Sequence, residues 1–343
     1  MLSNSVFITD GVAMKLNGKT ILVTGAGGFV GSHLVEALVR ESANVKAFVH
    51  YNSRNDWGNL EMLPSETKKS IEVISGDVRD PFFVRHACKK TDMIFHLAAL
   101  IPIPYSYVAP KEFVDTNITG TLNVMQAAKE ENVQKIIHTS TSETYGTAKY
   151  VPIDEAHPLQ GQSPYSASKI GADKIAESFF CSFGTPVATI RPFNTYGPRQ
   201  SARAIIPSIM CQALAGKPEI KVGSLTPVRD LTYISDTVAG FIAVAKTDKS
   251  VGEVINIGSG TGISISELAQ KIIAVTGKKT RLIEDKQRIR PEKSEVMRLI
   301  CNNQKAKELL NWKPSVSLEN GLANVAAFMK ENKGLYKADI YNI

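Results

Sequence analysis

Short apolar runs alternate with helical patterns along the first half of the chain. "TILVT", "VKAFVH", "IEVIS", "DMIFHL" and "KIIHTS" have strand length, whereas "FVGSHLVEALVRE", "PFFVRHACKK" and a long stretch from about Lys111 to Glu131 repeat apolar residues at helical spacing. Continuous apolar strands separated by helices predict a doubly wound α/β fold, a parallel sheet covered on both faces. After "VATIRP" the rhythm becomes irregular, with Pro198, Pro207, Gly216, Pro218 and Pro227 breaking it. The pattern therefore predicts a first domain over residues 15–193, with interleaved strands near 230–258 because "EVINIG" reads as another buried strand. A smaller, mainly substrate-binding region is expected over 194–330. Residues 1–14 read as a flexible extension and 331–343 as a C-terminal tail.

The glycine cluster "TGAGGFVG" follows the first strand directly and opens a helix. Gly25, Gly28 and Gly31 allow a tight turn, and the backbone at Phe29 and Val30 then brings a helix N-terminus up to a pyrophosphate. Between a strand and a helix this spacing predicts a Rossmann-like dinucleotide site. "GDVRD" places Asp77 and Val78 at a strand end where an adenine amine is met, and "FHLAA" places Leu97, Ala98 and Ala99 where small side chains let a cofactor lie close. The acidic residue that usually receives the adenosine ribose is missing, since Val49, His50 and Tyr51 stand in its place. With His50 and Arg54 nearby, a ribose phosphate is admissible. The expected cofactor is tightly bound NAD(P), with NADP slightly favoured.

"YSASK" sets Tyr165 and Lys169 four residues apart, so a helix carries phenol and ammonium on one face. A lysine beside a tyrosine favours the phenolate, a base able to work near neutral pH. Upstream, "STSETYG" packs Thr141, Ser142 and Glu143 together.

These motifs, with "TNITGT" around Asn117, "RPFNTYGPR" around Asn194, "RDLTYISD" around Arg229 and "NWKPSVSLENGL", resemble the extended short-chain dehydrogenase/reductase family of nucleotide-sugar enzymes, over about Lys15 to Phe328. The resemblance implies that Thr141 binds the sugar 4-hydroxyl, Tyr165 removes its proton and Lys169 holds the ribose. It places Asn117 among the cofactor contacts, and Asn194, Arg203, Arg229 and Arg290 among the substrate contacts. "IPIPYSY", with Pro104 and Tyr105, would line the sugar end. It also implies a homodimer through a four-helix bundle, with Leu122, Val124 and Met125 on one helix and Ile170, Ile175 and Phe179 on the other.

A carboxylate at Glu143 offers a base that removes the carbon-5 hydrogen once carbon 4 is a ketone, which points to a 4,6-dehydratase. Longer stretches, among them "LAALIPIPYSYVAP" and "HPLQGQSPYSASKIGADK", resemble the dehydratases of legionaminic-acid-type pathways, which act on UDP- or GDP-linked N-acetylglucosamine. The best-known dehydratases carry an aspartate where Ser142 stands. Threonine-serine-glutamate also occurs in nucleotide-sugar decarboxylases, so UDP-glucuronate decarboxylase and nucleotide-sugar 4-epimerase stay open. A non-catalytic dinucleotide-binding regulator is a remote alternative, because such proteins typically lose the tyrosine–lysine pair.

Bulk properties agree with an enzyme of small molecules. The 343 residues are 43% hydrophobic, enough for a substantial core, and carry a net charge of +7. Lys and Arg are scattered without a basic block, which suits anionic small molecules and gives no nucleic-acid partner. Cys88, Cys181, Cys211 and Cys301 lack metal-ligand spacing, so no metal site is expected. No run approaches the roughly 18 apolar residues of a membrane span, nor does the start resemble a secretory signal, and the expected location is cytoplasmic.

Overall fold

The computed structural model describes residues 14–341. Its strands are β1 (Thr20–Thr24), β2 (Asn44–His50), β3 (Ile71–Gly76), β4 (Met93–His96), β5 (Lys135–Thr139), β6 (Val187–Pro192), β7 (Asn194–Tyr196), β8 (Glu219–Val222), β9 (Val228–Tyr233), β10 (Val254–Ile257), β11 (Gly262–Ser264), β12 (Arg281–Glu284) and β13 (Arg298–Leu299). Seven of them form one sheet in the order β10-β6-β5-β4-β1-β2-β3. Every pairing in it is parallel. This is the Rossmann-like α/β fold that the alternation predicts.

Strand β1 pairs with β2 on one side and β4 on the other, so the chain reverses its direction of travel across the sheet there. A crevice opens at such a switch point beyond the carboxyl ends of the strands. Helix Phe29–Arg40 and helix Ile234–Lys246 cover one face, contributing Leu34, Val35, Leu38, Phe241 and Val244 to the core. On the other face, Val124 and Met125 of helix Gly120–Glu130 and Phe179 of helix Pro164–Phe183 are packed against Leu22, Ile94 and Ile136. Val124, Met125 and Phe179 are thereby committed to their own core and are not available to a second copy.

The smaller unit builds its sheets from β11, β9, β13 and β7, and from β12 with β8. β9 lies here and not in the nucleotide-binding sheet, because its edges are taken by β7, β11 and β13; β10 pairs with β6 in the large sheet. Helices Ile205–Leu214, Ile265–Thr276 and Leu318–Glu331 bury Ile209, Met210, Leu268, Ile272, Leu322 and Val325 against one another.

Local sequence explains the helix starts. Ser264 accepts from the Glu267 N–H while its own N–H donates to the Glu267 carboxylate, a reciprocal cap. The long helical stretch is not uniform: helix Pro110–Phe113 widens into a π turn over Val114–Thr119 before helix Gly120–Glu130. The flexible extension expected over residues 1–14 lies outside the described residues except for Met14. The Met14 N–H donates to the Lys246 carbonyl at 2.9 Å, which ties it to the fold. Among the described residues, no helix is long and apolar enough to cross a membrane.

Candidate active site

The turn after β1 fixes the dinucleotide end of the crevice. Gly25 has φ +72, and a Cβ there would stand 2.8 Å from the Ala98 nitrogen. A Cβ on Gly31 would meet the Gly25 carbonyl oxygen at 2.2 Å, so this glycine is what lets the helix come down onto the strand. No side chain caps the N-terminus of helix Phe29–Arg40, which leaves its dipole and first amides facing the crevice. Gly25, Gly28, Phe29, Val30, Gly31, His50, Leu97 and Ala99 line one cavity here. An adjoining cavity of about 290 Å³ is lined by His50, Asp77, Val78, Ala98 and Ala99. A cradle that any side chain would fill, beneath a bare helix N-terminus, fits the pyrophosphate of a dinucleotide.

Two of the expected cofactor residues, Arg54 and Asn117, sit differently. Arg54 is exposed on a turn whose N–H donates to Asn52, and it lines neither cavity. Asp56 lines the first of these cavities and caps the turn by accepting from the Gly58 N–H at 2.7 Å. Asp56 sits a few residues later than a β2-end acid and is brought back only by the loop. With Arg54 outside both cavities and a carboxylate among the lining residues, the reason for leaning toward NADP is lost. Asn117 is buried in the π turn, where its amide bonds both backbone groups of Leu100 and the Ser168 hydroxyl. It braces the loop after Ala99 and does not face the cavity. Asp77 reaches its cavity, yet Arg79 grips both carboxylate oxygens at 3.0 Å and holds the carboxyl below its usual range.

The reacting centre forms where β5 ends. Thr141 is extended and caps the short turn Ser142–Tyr145, its hydroxyl accepting from the Glu143 N–H at 3.3 Å. Ser163 caps the next helix with Pro164 at its first position, which sets Tyr165 within the first turn. Burial pushes the Tyr165 phenol up, partly countered by its hydrogen bond with Thr141, while the nearby Glu143 charge adds to the rise. Lys169, one turn on, donates to the Thr139 carbonyl at 2.7 Å. Burial lowers its pKa to about 8, with Asp173 opposing the fall.

Asp173 continues the same helix face one turn further, a spacing visible in "YSASKIGAD" that the sequence reading did not single out. It anchors a buried network: Arg191 donates to it at 2.8 Å, Ser140 at 2.6 Å, and His138 faces it at 2.9 Å. Arg191 also donates to the Tyr145 hydroxyl at 2.7 Å, and Tyr145 to Asn256 at 2.8 Å. Both ends of the turn carrying Thr141 and Glu143 are therefore tied to one ion pair.

On the other side of this turn a cleft of about 300 Å³ gathers Pro104, Glu143, Asn194, Arg203, Arg229 and Arg290. Lys221, Arg288 and Glu295, contributed by the smaller unit, add to its charged lining, which among the described residues has five cations against two carboxylates. Glu295 holds the guanidinium of Arg229 at 3.1 Å and lies 3.5 Å from that of Arg290. Such a surplus of guanidinium groups matches a diphosphate. Ser142 is buried behind Glu143 and does not line the cleft. Tyr105 does not line it either: its hydroxyl donates to Glu112 at 2.9 Å and its ring packs against Phe113.

Comparison with known proteins agrees with this geometry. The GDP-mannose 4,6 dehydratase family matches residues 22–325. The chain is 29% identical to the human dTDP-D-glucose 4,6-dehydratase over 320 residues, 92% of this chain and 91% of that one. Among solved structures it resembles the dTDP-glucose 4,6-dehydratase of Streptomyces venezuelae with NAD bound, at 27% identity and a TM-score of 0.82, covering 93% and 99% of the two chains. It is equally similar to the UDP-glucuronic acid 4-epimerase of Bacillus cereus in complex with UDP-glucuronic acid and NAD, at 29% identity and a TM-score of 0.82, covering 91% and 99%. The chain belongs to the GDP-mannose 4,6 dehydratase family of NAD-dependent nucleotide-sugar dehydratases and epimerases.

Proposed function

From membership of this family and the shape of the cleft, we infer that the protein is a 4,6-dehydratase of a nucleotide-linked N-acetylglucosamine, with UDP or GDP as carrier, as legionaminic-acid-type pathways use. The observation that carries this reading is Glu143, 9% exposed, on the wall of the arginine-lined cleft and beside Tyr165. An epimerase has no use for a base at that point.

In this reading Asn194, Arg203, Arg229 and Arg290 hold the diphosphate, and Pro104 bounds the sugar. Bound NAD supplies the acceptor for the hydride of carbon 4 and the donor that later reduces carbon 6. Thr141 orients the 4-hydroxyl while Tyr165 takes its proton, and Lys169 supplies the charge that eases ionisation of the phenol. Glu143 then removes the carbon-5 proton, now acidified by the ketone. The carbon-6 hydroxyl leaves with that proton as water, so Glu143 serves as base and then as acid; when carbon 6 is reduced, carbon 5 takes a proton drawn from solvent, and the proton held by Tyr165 returns to solvent. A homodimer through helices Gly120–Glu130 and Pro164–Phe183 belongs to the same proposal, resting on Leu122, Ile170 and Ile175.

Ser142 favours a second reading. With Ser142 buried behind the turn, the Ser142–Tyr145 turn presents one carboxylate to the cleft and no aspartic acid for the leaving hydroxyl. Decarboxylation of UDP-glucuronate and 4-epimerisation require no such acid. Mass spectrometry of products from UDP- and GDP-N-acetylglucosamine and UDP-glucuronate separates the three. Loss of one water is the expected result; loss of carbon dioxide establishes the decarboxylase, and an isobaric product the epimerase.

A further inference from the structure

Tyr341, close to the C-terminus, reaches the arginine-lined cleft. Tyr341 lines the same cavity as Glu143, Asn194 and Arg229. The guanidinium carbon of Arg288 lies 4.5 Å from the centre of its ring. Arg288 is held away from the reacting centre, by Ser208 at 3.3 Å and Asp285 at 3.4 Å, whereas Arg229 is coupled to Glu143, Arg290 and Glu295. Within the one cleft, Arg229 therefore groups with Glu143, Arg290 and Glu295, and Arg288 with Tyr341.

The tail reaches this place along defined contacts. Tyr336 and Ala338 pack on the core of the smaller unit, and the Tyr336 hydroxyl donates to the Gln200 carbonyl at 3.3 Å. Asp339 forms an ion pair with Lys217, the two side chains 81% and 41% exposed. Exposed pairs of this kind contribute little by themselves.

We propose that Tyr341, with Arg288, forms the base-binding end of the nucleotide site. A planar ring beside a guanidinium offers a surface on which a nucleobase stacks, and a nucleoside diphosphate whose phosphates sit on Arg229 and Arg290 has a nucleoside to place in the same cleft. Stacking tolerates either a pyrimidine or a purine, so this end gives affinity without choosing between UDP and GDP.

The inference rests on the nucleotide-sugar reading, and titration calorimetry on the full chain with NAD present tests it independently of the reaction catalysed. UDP, GDP and inorganic pyrophosphate are the probes; Tyr341→Ala and Tyr341→Phe are the variants. Tyr341→Ala should weaken UDP and GDP by about five- to a hundredfold, the usual worth of one stacked base, and leave pyrophosphate unchanged. Tyr341→Phe should bind all three as the parent does. Unchanged UDP and GDP affinity in Tyr341→Ala overturns the proposal alone, and so does a matching loss for pyrophosphate, which would mean that the tail only shapes the arginine group. A parent chain that binds neither nucleoside diphosphate overturns the proposal together with the nucleotide-sugar reading.

Discussion

Lys169 donates to the backbone carbonyl of Thr139 at 2.7 Å and not to the phenol of Tyr165, although the two side chains share a helix face. The lysine thus holds the end of β5, and in the proposed reaction its part is the charge it brings beside the tyrosine, not a hydrogen bond to it. Burial sets its pKa at about 8, below the ordinary 10.5. Below about pH 8 the amine is an ammonium, and the cost of burying that charge is fully present; as pH rises from about 8 toward 10.5 that cost is relieved and the charge is lost. We expect kcat/KM to fall above about pH 8 as the ammonium disappears. Arginine stays charged throughout, so residual activity in Lys169→Arg should lack this alkaline limb. A limb at the same pH in that variant would assign it to another group.

Beneath the same turn, the carboxyl of Asp173 is buried, which alone would raise it, but the His138 hydrogen bond and the Arg191 charge hold it well below the usual carboxylate range. A depressed acid contributes stability that is fully present above its unfolded pKa and is lost as pH falls. The loss should begin near about pH 4 and continue downward. Asp173→Asn strands the buried Arg191 charge, and breaking such a pair costs about 3–5 kcal/mol at neutral pH. Urea unfolding of parent and variant measures this, and the two curves should converge in acid. A variant within error of the parent at pH 7 would show that Arg191 is sustained by Tyr145 and Ser140 alone.

What the sequence made legible is what local spacing encodes. Gly25 and Gly31 follow from a strand-to-helix turn in which each lost Cβ has a visible purpose, and Tyr165 with Lys169 follows from helical period. Glu143 and Thr141 fall together because one short turn carries both. Asp173 lay within the same period and was available to that argument. The failures have long-range causes. Asp56 reaches the cavity only through the loop after β2, and Asn117 is turned inward by a π turn that no hydrophobic pattern announces. Tyr105 is drawn to Glu112, seven residues away across a helix break. Arg288 and Tyr341 approach each other across 53 residues of chain, a contact set by how the tail crosses the smaller unit.

The loop after β2 gives a cofactor prediction. Arg54→Ala should leave NAD and NADP binding alike unchanged, since that side chain lines neither cavity. Asp56→Asn keeps an acceptor for the Gly58 N–H and removes the charge. It should improve NADP relative to NAD by about fivefold, which is what ~1 kcal/mol of solvent-exposed repulsion amounts to. Fluorescence titration with both cofactors reads the ratio; selective loss of NADP in Arg54→Ala would restore the arginine to the ribose.

The proposed dimer depends on fewer residues than the helical pattern suggested. Val124 and Met125 are wholly buried in their own core, whereas Leu122 is 41% exposed on helix Gly120–Glu130. Sedimentation at micromolar concentration should give a dimer for the parent and a shift toward monomer for Leu122→Asp, which sets a charge into an apolar seam. A monomeric parent sinks the proposal; a dimeric Leu122→Asp moves the interface to another face.

Glu143→Gln separates the two halves of the proposed reaction. The amide keeps the shape of the side chain and leaves Thr141, Tyr165 and Lys169 in place, so oxidation at carbon 4 should continue. Removal of the base for carbon 5 should lower product formation by about a hundred- to ten-thousandfold. Reduced nicotinamide should therefore accumulate on the enzyme, visible by its absorbance, with little 6-deoxy product. Tyr165→Phe should abolish both signals, because the first proton is never taken. The Coulombic coupling of Glu143 to Arg229 adds a second readout. Losing the negative charge leaves Arg229 freer to bind phosphate, so Glu143→Gln should bind the nucleotide sugar at least as tightly as the parent while turning it over far more slowly. A variant with parental turnover, or a parent that incorporates no solvent deuterium at carbon 5, would falsify Glu143 as the elimination base and return the choice to decarboxylase or epimerase.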